Sequence, residues 1–234
     1  MLVGQPSWNH EMLRSWIIAG ACLVAGCSSL RARIGGHGDS ALLEACANLD
    51  AAVPPRRPIL FGDVQPDPMK EGEWREFRQE QEPELKRGVE AGEIFSTAEV
   101  WKYSDGSLRI LMALSSASGD WIHYLDYCFR PDGTVARSVS TLNNFNAYND
   151  EHDDIGPISR KNDRVFDRCG KELRVRSAPL MDLKIKQEAP PRTQIMDPEE
   201  PQVAHIRDVS FWSVLKETLP NKAVQLPAGC AGRS

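Results

Sequence analysis

The densest set of potential metal ligands in the chain is Asn149-Asp150-Glu151-His152-Asp153-Asp154. Several hard oxygen ligands in one loop suit calcium. The EF-hand spacing fails, because no glycine stands at the sixth position and no glutamate closes the loop at the twelfth. The stretch reads first as a solvated acidic loop; joined to a metal through His152, it would serve a hydrolase. A second candidate is His123 with Asp126 three residues on. Odd and even positions of a strand face opposite ways, so that spacing makes no dyad. No GxSxG elbow, HExxH helix or P-loop occurs. Gly36 to Ala41 matches a GxGxxA pattern, but Pro54-Pro55 follows too soon for the crossover unit that a dinucleotide site needs. No residue is assigned to catalysis or to a metal, and no cofactor is called for.

The amino terminus is more specific. Trp16 to Gly26 is an uncharged, mostly apolar run that ends at Cys27, with Arg14 just upstream. A membrane-crossing helix needs about 20 apolar residues, so this run is too short to span. It has the length of a signal-peptide core, with the small residues Ala25 and Gly26 placed for cleavage. A start at Met12 would give the tighter signal. Leu23-Val24-Ala25-Gly26-Cys27 resembles the lipobox of bacterial lipoproteins. The resemblance implies that residues 1–26 are removed and that Cys27 is the lipid-attachment site. Ser28 in place of Asp implies export to the outer membrane, with the body on the periplasmic side. One acyl chain anchors a protein only marginally, at about 0.8 kcal/mol per buried methylene, and a triacylated cysteine supplies three.

With Cys22 removed and Cys27 acylated, Cys46, Cys128, Cys169 and Cys230 remain. An even count in an oxidising compartment makes these four the candidates for disulfides, in one of three pairings. No CxxC or Cys/His spacing suggests zinc. In a meander Cys128 and Cys169 would lie near turns at the same end, two strands and about 10 Å apart, beyond disulfide reach. The pairing stays open.

The body must be built around a sheet. Ile94–Tyr103 reads as a strand that turns at Asp105-Gly106 into the alternating run Leu108–Ser115. Ser116–Asp120 turns into Trp121–Phe129, where Trp121, His123, Leu125, Tyr127 and Phe129 share one face. Pro131-Asp132-Gly133 leads into Thr134–Leu142, and Cys169-Gly170 joins Arg164–Asp167 to Leu173–Arg176. Tyr103, Phe129 and Phe166 before these turns, with Arg109, Arg137 and Arg174 after them, are expected to pair across strands. The concentration of Trp101, Tyr103, Trp121, Tyr124 and Tyr127 reads mainly as core. Helices are expected over 40–50, with Leu42, Cys46 and Leu49 on one stripe, and as two short pieces within Glu71–Glu93, divided by Pro83. There Trp74 and Phe77 lie a helical turn apart. A last helix starts at Asp208 as N-cap, turns Phe211, Trp212, Leu215 and Leu219 inward, and ends at Pro220. Residues 51–72 read as irregular.

The expected class is α+β, an antiparallel β-meander of about five to seven strands with short helices before and after it. The division is signal 1–26, tether 27–40, one domain over 41–220 and a tail over 221–234. With 234 residues, 41% hydrophobic and 26% charged, the composition excludes a disordered chain and a multi-span membrane protein. A net charge of −5 argues against nucleic acid as a partner. The expected role is a non-catalytic interaction or envelope-assembly module, held to the membrane by its lipid and facing an envelope protein. The rivals are a metal-dependent hydrolase and a carrier whose half-open sheet holds an apolar ligand.

Overall fold

The computed structural model describes residues 57–65, 72–148, 154–196, 198 and 200–219. These form one antiparallel sheet: β1 (Ile59–Val64), β2 (Glu73–Phe77), β3 (Ile94–Lys102), β4 (Leu108–Ser115), β5 (Trp121–Phe129), β6 (Val135–Tyr148), β7 (Asp154–Phe166), β8 (Glu172–Ser177), β9 (Met181–Asp182) and β10 (Gln187–Glu188). Helix α1 (Glu82–Ala91) lies between β2 and β3, and α2 (Trp212–Thr218) follows the last strand. The strand order is β10-β9-β7-β6-β5-β4-β3-β1-β2, with β8 paired to β7 off that path. The sheet therefore has ten strands rather than five to seven. The expected meander is its centre, β3 to β8, and the additions lie at both ends.

Local chemistry closes the hairpins. In the β3–β4 turn Asp105 Oδ1 accepts from the Ser107 amide at 2.9 Å and its hydroxyl at 2.6 Å. In the β5–β6 turn Asp132 Oδ1 accepts from the Thr134 amide and hydroxyl at the same distances. Gly106 (φ +89°) and Gly133 (φ +84°) occupy the left-handed position that follows each aspartate. The β7–β8 turn is closed in the same way: Asp167 Oδ1 accepts from the Cys169 amide at 2.8 Å and the Lys171 amide at 2.9 Å. Arg130, buried at the base of the second turn, donates to the carbonyls of Val135, Phe166 and Asp167 and so ties that turn to the end of β7.

Alternation then sorts the sheet into two faces. On the first, Phe61, Val100, Ile110, Leu125, Tyr127 and Phe129 form the main core and are covered by Phe211, Leu215 and Leu219 of the α2 region, with Val203, Ile206 and Val209 before it. Phe211 stands 5.0 Å from the ring of Phe61 and 5.0 Å from Trp74. Lys102 Nζ donates to the Thr218 carbonyl and closes this cover over the sheet edge. The second face carries a smaller core in which Leu85 of α1 meets Leu60, Phe77 and Ile94.

Four expectations change here. Residues 59–64, read as irregular, are strand β1, paired on both sides. Glu73–Phe77 is strand, not helix; the three-residue spacing sends Trp74 to the first face and Phe77 to the second, so one strand feeds both cores. Pro83 does not divide two helices but sits in the first turn of α1, where its missing N–H costs nothing. At the carboxyl end α2 begins after Phe211, not Asp208. The Asp208 carboxylate instead accepts from the amides of His205, at 2.7 Å, and Ala204, at 3.0 Å, and caps the 3-10 turn Ile206–Asp208.

Candidate interaction edge

Cys27, Cys46, Cys230, His152 and the body of the acidic loop, along with the expected helix over 40–50, lie outside the described residues. Asp154 opens β7. Among the described residues no group of His, Cys, Asp or Glu could hold a metal, and no helix is long and apolar enough to cross a membrane. His123 is 1% exposed, and its Nε2 lies 2.7 Å from Ser140 Oγ, itself buried on β6. A pair that no solvent reaches meets no substrate, so it reads as a satisfied core contact. Asp126 points to the other face, as the strand rule requires. The aromatic group divides likewise: Tyr127 is in the main core, whereas Trp101 and Tyr124 are half-buried on the second face. Cys128 is buried on β5, and Cys169 is exposed in the β7–β8 turn.

The second face is laced by charge. Arg109 donates to both carboxylate oxygens of Asp126, at 2.8 and 2.7 Å, and lies over the ring of Trp101. Arg137 does the same to Asp163 at 2.8 and 2.9 Å. The aromatic partner of Arg109 is thus Trp101, directly opposite, rather than the expected Tyr103, and each arginine also reaches a carboxylate on the next strand. Partial burial pushes the Asp163 carboxyl up, but the hydrogen bond and charge of Arg137, with Arg174 and Lys161, hold it below the usual carboxylate value. Glu99 behaves oppositely: burial between Leu60 and Leu111, with repulsion from Glu82, lifts it above its ordinary value against the pull of Arg109 and Lys86. The native state then holds its proton to higher pH than the unfolded chain, so this site's contribution to stability falls as pH climbs from about 4.5 through the raised native value. Glu99→Gln is expected to raise the melting temperature at pH 7, with the gain shrinking at pH 4. Equal gains at both pH values would contradict that origin.

Most of the exposed large apolar side chains lie toward the far end of the sheet, beyond β6. Beyond β6, strand β7 is shared by β8 along Asn162–Phe166 and by β9 at Ile158 and Ser159. Among the described residues β8 pairs with β7 alone, and all six of its residues are exposed. It alternates all the same, with Leu173 (52% exposed) and Val175 (43%) interleaved with Arg174 and Arg176. Ile185, Met196 and Tyr148 are exposed in the same part of the chain, so five of the six exposed large apolar side chains belong to it. An edge strand presents outward N–H and C=O groups that an extended segment can pair with, and the alternate side chains read its sequence. Arg168, Lys171, Arg174 and Arg176 against the single acid Glu172 give the stretch 168–176 a positive charge.

The sequence identified Leu173–Arg176 as a strand, but its alternation is that of any half-buried strand, and nothing local says that neither side is covered. A ligand-carrying cavity finds less support on the first face, where α2 fills the space over the apolar strands. No family model, no curated protein and no solved structure matches the chain.

Proposed function

We propose that the protein is a lipid-anchored lipoprotein of the outer membrane, facing the periplasm, and that it acts as a non-catalytic interaction module. An acidic, extended segment of an envelope protein adds as a strand along β8. The observation that carries this reading is an alternating apolar and basic strand whose six residues are all exposed and which, among the described residues, pairs with β7 alone. The anchor rests on the Leu23-Val24-Ala25-Gly26-Cys27 sequence.

Two experiments test the two parts. A photo-crosslinking residue at Val175 should capture one envelope protein in intact cells, the same probe at Glu84 on α1 should not, and Leu173→Asp should abolish the product. No product from position 175, or equal products from both positions, overturns the edge reading. Separately, Cys27→Ser should leave uncut precursor or release the mature body from membranes. An unchanged, lipid-labelled membrane fraction in that variant removes the anchor.

A further inference from the structure

We infer that β8 reads its partner on two faces at once: it pairs antiparallel with a segment of the pattern acid–apolar–acid, the apolar residue opposite Val175 and the acids opposite Arg174 and Arg176. The inference rests on β8 being the docking strand, as proposed above. The hydrogen-bond phase of β8 fixes which backbone groups point outward. Its pairs with β7 run Asn162–Ser177, Asp163–Arg176, Arg164–Val175 and Val165–Arg174. The same register carries the bond from Ala178 N to Lys161 O at 2.8 Å. In an antiparallel ladder, pairs that exchange hydrogen bonds alternate with pairs that do not. Counted from Lys161 and Ala178, the bonded pairs are Asp163–Arg176 and Val165–Arg174. The N–H and C=O of Arg174 and Arg176 therefore point to β7, and those of Val175 and Ser177 point away from it. The register slips at Leu173, which stands between the Val165–Arg174 and Phe166–Glu172 pairs as a bulge. Regular pairing on the outer side thus begins at Arg174.

The two faces of this edge differ in charge. Val175 lies on the first face, level with Arg164, Ser138 and Tyr127 on successive strands. The cation there is already neutralised: Arg164 donates to Glu200 at 3.2 Å and lies 3.7 Å from Glu172. Arg174 and Arg176 lie on the second face. The carboxylate opposite Arg176 is Asp163, and Arg137 occupies both of its oxygens. Among the described residues neither Arg174 nor Arg176 is hydrogen-bonded to a carboxylate. An outer strand that bonds to Val175 places its flanking residues opposite these two arginines in non-hydrogen-bonded pairs. There the Cα atoms stand about 4.5 Å apart, against about 5.5 Å in bonded pairs, so acidic side chains reach the guanidinium groups. A second copy of β8 is a poor occupant. Setting Val175 opposite Val175, Leu173 or Ser177 of that copy puts arginine against arginine.

The test uses the full chain and fluorescent seven-residue peptides of alternating valine and glutamate, followed by anisotropy. Replacing the glutamates by lysine should weaken binding at least tenfold. Arg174→Glu with Arg176→Glu should reverse that preference, so that the lysine peptide now binds; this gain also shows that the variant is folded. N-methylation of the peptide's valines, whose N–H groups face Val175, should abolish binding, whereas N-methylation of its glutamates should leave it intact. No binding of the glutamate peptide, equal binding of the lysine peptide, or loss on N-methylation of the glutamates instead of the valines overturns the inference. In intact cells, the charge-reversed pair should reduce photo-capture from position 175 at least tenfold, and Lys86→Glu with Arg87→Glu on α1 should leave it unchanged. Capture from position 175 that survives the Arg174 and Arg176 reversal overturns this pairing while the edge reading stands. No capture from the unaltered edge overturns both.

Discussion

Phe211→Ala should destabilise the protein by about 4 kcal/mol, the usual range for emptying a fully buried aromatic site. Phe211 has no exposed surface and is held between the rings of Phe61 and Trp74. Those two residues come from β1 and β2, the strands furthest from the centre of the meander on that side. Removing the ring therefore opens a cavity and also loosens the contact by which the carboxyl-terminal helix covers the sheet. For a domain of this size the melting temperature should fall by roughly 10 °C. Phe211→Leu, which keeps much of the volume, should recover more than half of the loss. A drop of only a degree or two in the alanine variant would mean that α2 is not part of the cooperative core.

Gly133→Val should be nearly as damaging, at ~3–5 kcal/mol, for two separable reasons. The first is the backbone: φ is +84°, which β-branched residues avoid. The second is space: an added Cβ would lie 2.9 Å from His205 Nε2 and 2.9 Å from Ile206 Cγ2, in the 3-10 turn that precedes α2. Gly106 has the same backbone conformation, φ +89°, but its nearest neighbour to such a Cβ is Pro131 Cβ at 3.5 Å. Gly106→Val should thus show the strain without the collision, at ~1–3 kcal/mol. Equal losses at the two positions, read from denaturant unfolding of both variants, would show that the contact between the β5–β6 turn and the 3-10 turn adds nothing.

The hairpins were legible in the sequence because their causes are local. Asp105-Gly106-Ser107 and Asp132-Gly133-Thr134 contain within three residues the acceptor, the left-handed position and the donor that close each turn. The opposite facing of His123 and Asp126 follows from strand geometry alone. The Trp74 and Phe77 spacing fits one stripe of a helix as well as two faces of a strand, and the choice depends on Phe211 and Leu85, which lie far away or across the sheet. Asp208 carries a capping side chain either way; which turn it caps depends on where Ala204 and His205 are held by the β5–β6 turn.

The candidate edge shows the same limit. Leu173 and Val175 alternate with arginines as Ile110 and Met112 alternate with their neighbours, yet the former pair is exposed and the latter buried. By itself the sequence determined the turns and the strand faces, because these depend on neighbours a few residues apart. The tertiary structure alone decided which faces are covered and, among the described residues, which strand stays exposed, because burial depends on segments brought together from distant parts of the chain.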